Sequence, residues 1–352
     1  MNYSVVDLFC GIGGLTKGLE LAGLNVVAGL DVDSTCRFAY EANNKSKFIC
    51  SDVSSIEPSA ISSLYPKNHV KILVGCAPCQ PFSKYTQRYR KNGQKDNKWK
   101  LLYSFGQIVE NLKPTVVSME NVPELSNQIV FKDFVKKLEE QQYSVSWSIV
   151  YCPDYGVPQK RKRLVLLASK LGSIKLIPRS FIPNNYKTVK DTIENLPCIR
   201  DGEFCSSDPI HCATKLNKLN LERIKQSVPG GTWKDWDEKL LSACHKKPTG
   251  KGYKAVYGRM MWNEPSPTIT TQFYGFGNGR FGHPEQDRAI SFREGALLQS
   301  FPEDYKFIED GTTKFNKKKL GIHIGNAVPV ELGKAIGMSI IDHLNKEFCK
   351  LQ

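Results

Sequence analysis

A few short stretches of this 352-residue chain carry side chains suited to chemistry. In GCAPCQPFS, residues 75–83, Cys76 and Cys79 flank a short turn stiffened by Pro78 and Pro81. Such thiols suit a redox pair, half of a metal site, or a nucleophile presented to a cleft. A thioredoxin-like redox pair needs a helix starting at the first cysteine, whereas Pro81 and the basic run behind it favour a loop. Zinc needs more ligands, and Cys198, Cys205, His211 and Cys212 lack the spacing of familiar zinc motifs, so no metal is expected. An inert buried pair is the plain alternative. Glu120, in MENVP, ends the apolar run PTVVS, and QKRKR, residues 159–163, directly precedes LVLLAS. A carboxylate or an arginine at a strand end is usually just solvated. A thiol, a carboxylate and an arginine at neighbouring strand ends suit nucleophilic attack with acid–base assistance. DLFCGIGG, residues 7–14, follows the first apolar run. Its glycines allow close backbone approach to a ligand, and the helix behind it offers free N–H groups. A dinucleotide fingerprint would want a third glycine where Thr16 stands, so a nucleoside-bearing ligand fits better than a pyrophosphate. Asp31 and Asp52, after the second and third strands, are placed to accept hydrogen bonds from ribose and adenine.

These residues need a scaffold that brings strand ends together. SVVDLF, NVVAGL, KFIC, VKILVG, PTVVSME, YSVSWSIV and RLVLLAS read as strands, with amphipathic stretches between several of them. That alternation predicts an α/β fold, a mostly parallel Rossmann-like sheet with helices on both faces. Ligands of such sheets sit at the carboxyl ends of the strands. From about 180 to 289 periodicity fades and Gly, Pro and Asn increase, which predicts a smaller, loop-rich domain. ISFREGALLQSFPE, residues 290–303, reads as a helix, and a basic loop follows from Lys314 to Lys319. PVELGKAIGMSIIDHL has helical spacing and is expected to return to the first sheet.

Composition sets the outer bounds. Hydrophobic residues at 40% are enough for a core, and a net charge of +14 suits a polyanionic partner. The 11 cysteines form no dense framework, which predicts free thiols in a reducing, cytoplasmic setting. No signal peptide is evident, and no apolar run approaches the ~18 residues needed to span a membrane.

With these motifs in order, the chain resembles the cytosine-5 DNA methyltransferase family of bacteria. The resemblance runs through DLFCGIGG, the PCQ of residues 78–80, ENV at Glu120, QKRKR, REGALLQSFP at Arg293 and IGNAVPVELG at Ile324. It covers most of the chain outside about 175–265. Asp31 departs mildly, being shorter than the glutamate often found at the ribose position. The resemblance implies S-adenosylmethionine as cofactor and double-stranded DNA as partner. Cys79 would add to C6 of a flipped-out cytosine, Glu120 would bind or protonate N3, and Arg163 would pair with O2. Arg161 would orient the neighbouring loop or a phosphate. Phe9, Gly11, Gly13, Gly14, Asp31, Asp52, Pro78, Asn326 and Val328 would hold the cofactor. Gln80, Ser83, Lys84, Arg88, Arg90, Lys91, Thr270 and Thr271 would meet DNA, the basic stretch 84–100 as a mobile loop closing on the phosphates.

The implied organisation is a cofactor and catalytic domain over 1–179, a target-recognition domain over 180–289, a hinge over 290–320, and a returning C-terminal helix over 321–352. DNA would lie between the domains. A monomer is expected, with a cognate restriction endonuclease as a functional companion and no stable complex. A Cys76→Ser variant is expected to stay active, since only the redox reading needs both thiols. Two alternatives stay open at this point: the same chemistry on tRNA, or a catalytically inactive DNA-binding regulator.

Overall fold

The computed structural model describes residues 2–78, 100–247, 252 and 255–350, and these divide into two compact units. The first unit takes the described parts of Met1–Tyr151, Lys162–Ser180 and Val328–Gln352. Its strands are β1 (Tyr3–Leu8), β2 (Val26–Asp31), β3 (Lys47–Cys50), β4 (Val70–Gly75), β5 (Val116–Asn121), β6 (Ser144–Tyr151) and β8 (Lys162–Ser169). Its helices are α1 (Gly14–Leu21), α2 (Arg37–Glu41), α3 (Pro58–Ser63), α4 (Lys100–Leu112), α5 (Ile129–Glu140) and α11 (Val330–Cys349). The sheet has seven strands in the order β3-β2-β1-β4-β5-β8-β6. Continuous apolar runs such as VVDL and LVLLA are buried along their length, as expected of strands covered on both faces.

β1 lies parallel to both β2 and β4, so the chain winds outward from it in two directions. That reversal opens a crevice at the carboxyl ends of β1 and β4. The glycine loop after β1 and the cysteine turn after β4 both emerge there. β8, by contrast, runs antiparallel to β5 and to β6. The sheet is therefore mostly parallel, with a reversed strand near one edge.

The C-terminal helix α11 packs on α1 through glycines. A Cβ at Gly18 would lie 2.4 Å from the Val330 carbonyl oxygen, and one at Gly333 would lie 3.1 Å from that of Leu15. The close crossing ties the chain's end to the helix behind the glycine loop.

The second unit comprises Cys152–Arg161 and Phe181–Ala327. Its strands are short: β7 (Gln159–Lys160) pairs with β11 (Ser266–Pro267), and β9 (Phe204–Cys205) pairs with β10 (Asp208–Cys212). Its helices are α6 (Val189–Ile193), α7 (Lys218–Gln226), α8 (Ala243–Lys246), α9 (Phe292–Leu298) and α10 (Lys317–Asn326). Ile224, Trp233, Trp236, Leu240, Phe276 and Ala289 form a small apolar cluster. With so little regular structure, buried side chains bond the loops. The Arg259 guanidinium donates to the carbonyls of Ser227, Ile224, His283 and Gln286 and pairs with Asp287.

The helix expected over 290–303 is shorter. α9 starts at a capping box, in which the Ser291 hydroxyl accepts from the Glu294 N–H at 3.1 Å and the Glu294 carboxylate accepts from the Ser291 N–H at 2.6 Å. It stops where Ser300 turns left-handed (φ 61) and Phe301 N–H reaches back to the Ala296 carbonyl. Among the described residues no helix is long and apolar enough to cross a membrane.

Candidate active site

The loop after β1 is built around unusual backbone. Phe9 (φ 59), Gly11 (φ 52) and Gly13 (φ 85) are left-handed, a conformation that costs a non-glycine residue about 1–3 kcal/mol. At Phe9 the cost is carried by a residue at a ligand-facing strand end, which is where such strain collects. Asp31 fixes the loop: its carboxylate accepts from the Gly11 N–H and the Asp33 N–H, each at 2.9 Å. A side chain built on Gly11 would meet no heavy atom of its surroundings within 4 Å, so the space beside it is open. Asp52 is exposed after β3, and its hydrogen bond from the Ser54 N–H at 2.8 Å holds its carboxyl below the usual range.

Asp7, at the end of β1, was not singled out by sequence reasoning. Its carboxylate is buried, accepts from the Thr16 hydroxyl at 2.7 Å through Oδ2, and among the described residues has no hydrogen-bond partner at Oδ1. Thr16 in turn contacts the Tyr40 hydroxyl at 3.2 Å, which meets Ser46 Oγ at 2.7 Å. Burial pushes the Asp7 carboxyl up to about 7, outweighing the Thr16 hydrogen bond, and Asp31 adds to the rise. Burial, then the charge of Asp7, raises the Cys10 thiol well above its ordinary value.

Next along the same edge, Glu120 sits near the end of β5 and is 2% exposed. The Cys76 thiol donates to its Oε2 at 2.8 Å. Arg163 Nε lies 2.8 Å from its Oε1, close enough for an ion pair but out of line for a hydrogen bond, so that oxygen keeps an unfilled acceptor site. The Asn121 amide donates to the Ala77 carbonyl at 2.9 Å and pins the cysteine turn to β5.

Arg163 reaches Glu120 only because β8 is antiparallel. In a parallel strand, residues at the start would lie at the edge opposite the carboxyl ends of β4 and β5. The pairing of Asn121 with Leu164 instead places the start of β8 beside the end of β5. The sequence-level picture of convergence in a parallel sheet is corrected in this respect.

Arg161 belongs to the second unit and is 2% exposed. It donates to the carbonyls of Ile269 at 2.9 Å and Gly325 at 3.2 Å. Gln159 bonds the Ile269 N–H at 2.8 Å and Gln299 at 2.9 Å, and Gln299 donates to the Ile324 carbonyl at 2.7 Å. One buried network thus joins QKRKR, PTITT, LLQSFP and IGNAV. Arg161 thereby holds two backbone carbonyls of its own unit. Thr270 is exposed and Thr271 half-buried, with the Thr270 backbone in close contact with Gly325. The glutamines of this network carried no signal in the sequence beyond their place inside motifs.

Cys79, the expected nucleophile, lies outside the described residues, as do Gln80, Ser83, Lys84, Arg88, Arg90 and Lys91. Pro78 is exposed at the end of the described turn, and Gly14 is buried at the start of α1. Val328 belongs to the first unit and Asn326, exposed, to the second. Both ring nitrogens of His211 are engaged, with Ser291 Oγ at 2.9 Å and the Pro197 carbonyl at 2.8 Å.

A family model described as C-5 cytosine-specific DNA methylase matches residues 3–342. The type II methylase M.HgiDII of Herpetosiphon aurantiacus is 52% identical over 340 residues, covering 96% of this chain and 94% of that protein. The type II methyltransferase M.Sau96I of Staphylococcus aureus is 31% identical over 359 residues, covering 98% and 77%. Among solved structures, the Entamoeba histolytica methyltransferase EhMeth superposes with a TM-score of 0.66 at 18% identity, covering 98% and 99%. That last likeness speaks to the fold alone.

Proposed function

The chain belongs to the C-5 cytosine-specific DNA methylase family and methylates cytosine in DNA, and we propose that Cys79, Glu120 and Arg163 carry the reaction. Cytosine C5 is a poor nucleophile because its electrons belong to an aromatic ring. Addition of the Cys79 thiolate to C6 interrupts that ring and leaves C5 electron-rich. Glu120 binds N3 and moves a proton there, and Arg163 holds O2. Once C5 has taken up the methyl group, loss of its proton to solvent and departure of the Cys79 thiolate restore the ring. The base must leave the duplex first, at a cost of a few kcal/mol.

The observation that carries this reading is the buried carboxylate of Glu120, set between Arg163 Nε at 2.8 Å and a thiol at 2.8 Å on the edge where the PCQ turn begins. Arg161 acts as a positioning residue through the loop carbonyls it holds.

S-adenosylmethionine, when bound, supplies an electrophilic methyl group. The residues at the ends of β1, β2 and β3 fit it: open space beside Gly11, carboxylates at Asp31 and Asp52, and a buried Asp7 oxygen, unpartnered among the described residues, suited to a cationic donor. Phe9, Gly13, Gly14, Pro78, Asn326 and Val328 would complete the holding set.

The basic stretch 84–100 would contact phosphates, together with Thr270 and Thr271. The loop-rich region 180–289 would read base edges. The names of the similar type II enzymes support a role in restriction and modification, with a cognate endonuclease acting separately on the same DNA. We further infer a monomer acting in the cytoplasm.

DNA containing 5-fluorocytosine tests the central claim, because fluorine at C5 blocks departure of the thiol. The native chain should form a covalent adduct, and Cys79→Ser should form none while still binding S-adenosylmethionine. Full methylation by Cys79→Ser would overturn the assignment.

A further inference from the structure

Cys76 lies one residue beyond β4, and its place opposite Glu120 follows from the sheet register. Gly75 pairs with Met119, and continuing by one residue sets Cys76 against Glu120. Paired residues of neighbouring strands project to the same face, so the two side chains meet there. The Cys76 N–H bonds the Leu8 carbonyl at 3.3 Å, which fixes the backbone carrying the thiol. A cysteine has one rotor before its sulfur, so the backbone largely sets where the S–H points.

We propose that Cys76 is a positioning residue that holds the Glu120 carboxylate in its reactive orientation before the base arrives. This rests on the reading of Glu120 as the partner of cytosine N3. Among the described residues, Cys76 is the side chain that donates an aligned hydrogen bond to Glu120. Arg163 supplies charge on the other side without that alignment. Together they fix a carboxylate that would otherwise rotate, leaving its second oxygen available. Burial, and then the neighbouring charge of Glu120, raise the thiol well above its ordinary value, so it keeps its proton and stays a donor. A thiol is also a weak donor, readily released when the base needs that oxygen.

The charged and titratable groups facing this pair are Arg163 from β8, Asp7 from the end of β1, and Cys76 with Glu120 themselves.

Single-turnover methylation of duplex DNA tests the idea. Cys76→Ala should slow methyl transfer roughly tenfold to a hundredfold, the range expected when a reacting group loses its alignment. S-adenosylmethionine binding should be unchanged. Cys76→Ser keeps a donor and should restore the rate. Cys76→Val keeps volume without a donor and replaces the alanine variant if that one does not fold. In a Glu120→Gln background, removing the thiol should have no further effect. A native rate in Cys76→Ala or Cys76→Val would overturn the proposal, as would equal losses in Cys76→Ser and Cys76→Ala. If Glu120→Gln itself keeps the native rate, the reading of Glu120 fails first. If Glu120→Gln is slow and Cys76→Ala is not, only the role of Cys76 fails.

Discussion

Glu120 and Glu294 are both buried, 2% and 0% exposed, and each lies within 2.8 Å of an arginine nitrogen. Their surroundings are otherwise opposite. Glu294, in the loop-rich unit, accepts from both terminal nitrogens of Arg288 at 2.7 Å and from the Ser291 N–H at 2.6 Å. Burial alone would raise its carboxyl, but the Arg288 hydrogen bonds and charge win and hold it at about 2. Glu120, in the sheet unit, has a thiol on one oxygen and a misaligned arginine beside the other. A fully bonded buried carboxylate braces structure, and an under-bonded one is available for chemistry. The contrast teaches that partner count, more than burial or the presence of an arginine, separates architecture from reaction.

The largest effect should come from removing the proton-carrying carboxylate. Glu120→Gln keeps the shape but cannot deliver a proton, and such assistance is typically worth roughly 10²–10⁴-fold in rate. Single-turnover kinetics should show that loss with the melting temperature close to native, and an unchanged methyl-transfer rate would break the comparison at its reactive end.

The structural end is tested by Arg288→Met. It leaves Glu294 buried with an uncompensated charge, a change that costs about 3–5 kcal/mol when one partner of a buried pair is deleted. Denaturant unfolding should report that loss in the loop-rich unit. Because Glu294 is held low, the stability it brings is present above the ordinary carboxylate range and is lost as pH falls toward 2. The native chain should lose more stability than Arg288→Met over that fall. Equal stability of the two proteins at neutral pH would show that the pair braces nothing.

Much of the sheet unit was legible because buried parallel strands announce themselves as apolar runs, and the glycine loop, Glu120 and QKRKR punctuate their ends. What stayed hidden depends on direction and register. Nothing in LVLLAS says that β8 runs antiparallel, yet that reversal brings Arg163 to Glu120. Cys76 looked like the idle half of a cysteine pair, because its meeting with Glu120 requires β4 and β5 to be neighbours in one register. In the loop-rich unit, Arg288, His283 and Glu294 are all buried, and nothing in their charged types announces it. Composition cannot show that, since the residue types of a buried network and of a wet surface are the same. Cys79 and the basic residues after it fall outside the described residues, so their roles rest on the sequence.

Asp7 extends the comparison with a smaller effect. It is as buried as Glu294, at 1% exposure, yet among the described residues Thr16 serves one oxygen and no hydrogen bond reaches Oδ1, with Cys10, Tyr40 and Asp31 around it. Its carboxyl titrates at about 7 in the folded chain, against an ordinary value of 3.8. Between those values the folded chain keeps a proton that the unfolded chain releases. This group's contribution to stability is therefore full below the ordinary value, declines as pH rises, and is gone above about 7. Each unit of such a shift corresponds to about 1.4 kcal/mol, so the decline amounts to a few kcal/mol at most. Asp7→Asn mimics the protonated acid at every pH and should remove this dependence. The stability of the native chain relative to Asp7→Asn, from denaturant midpoints, should fall between pH 5 and about 7 and level off above that. A difference that stays constant across that range would mean that Asp7 is already paired and charged, and the under-bonded class would then hold Glu120 alone.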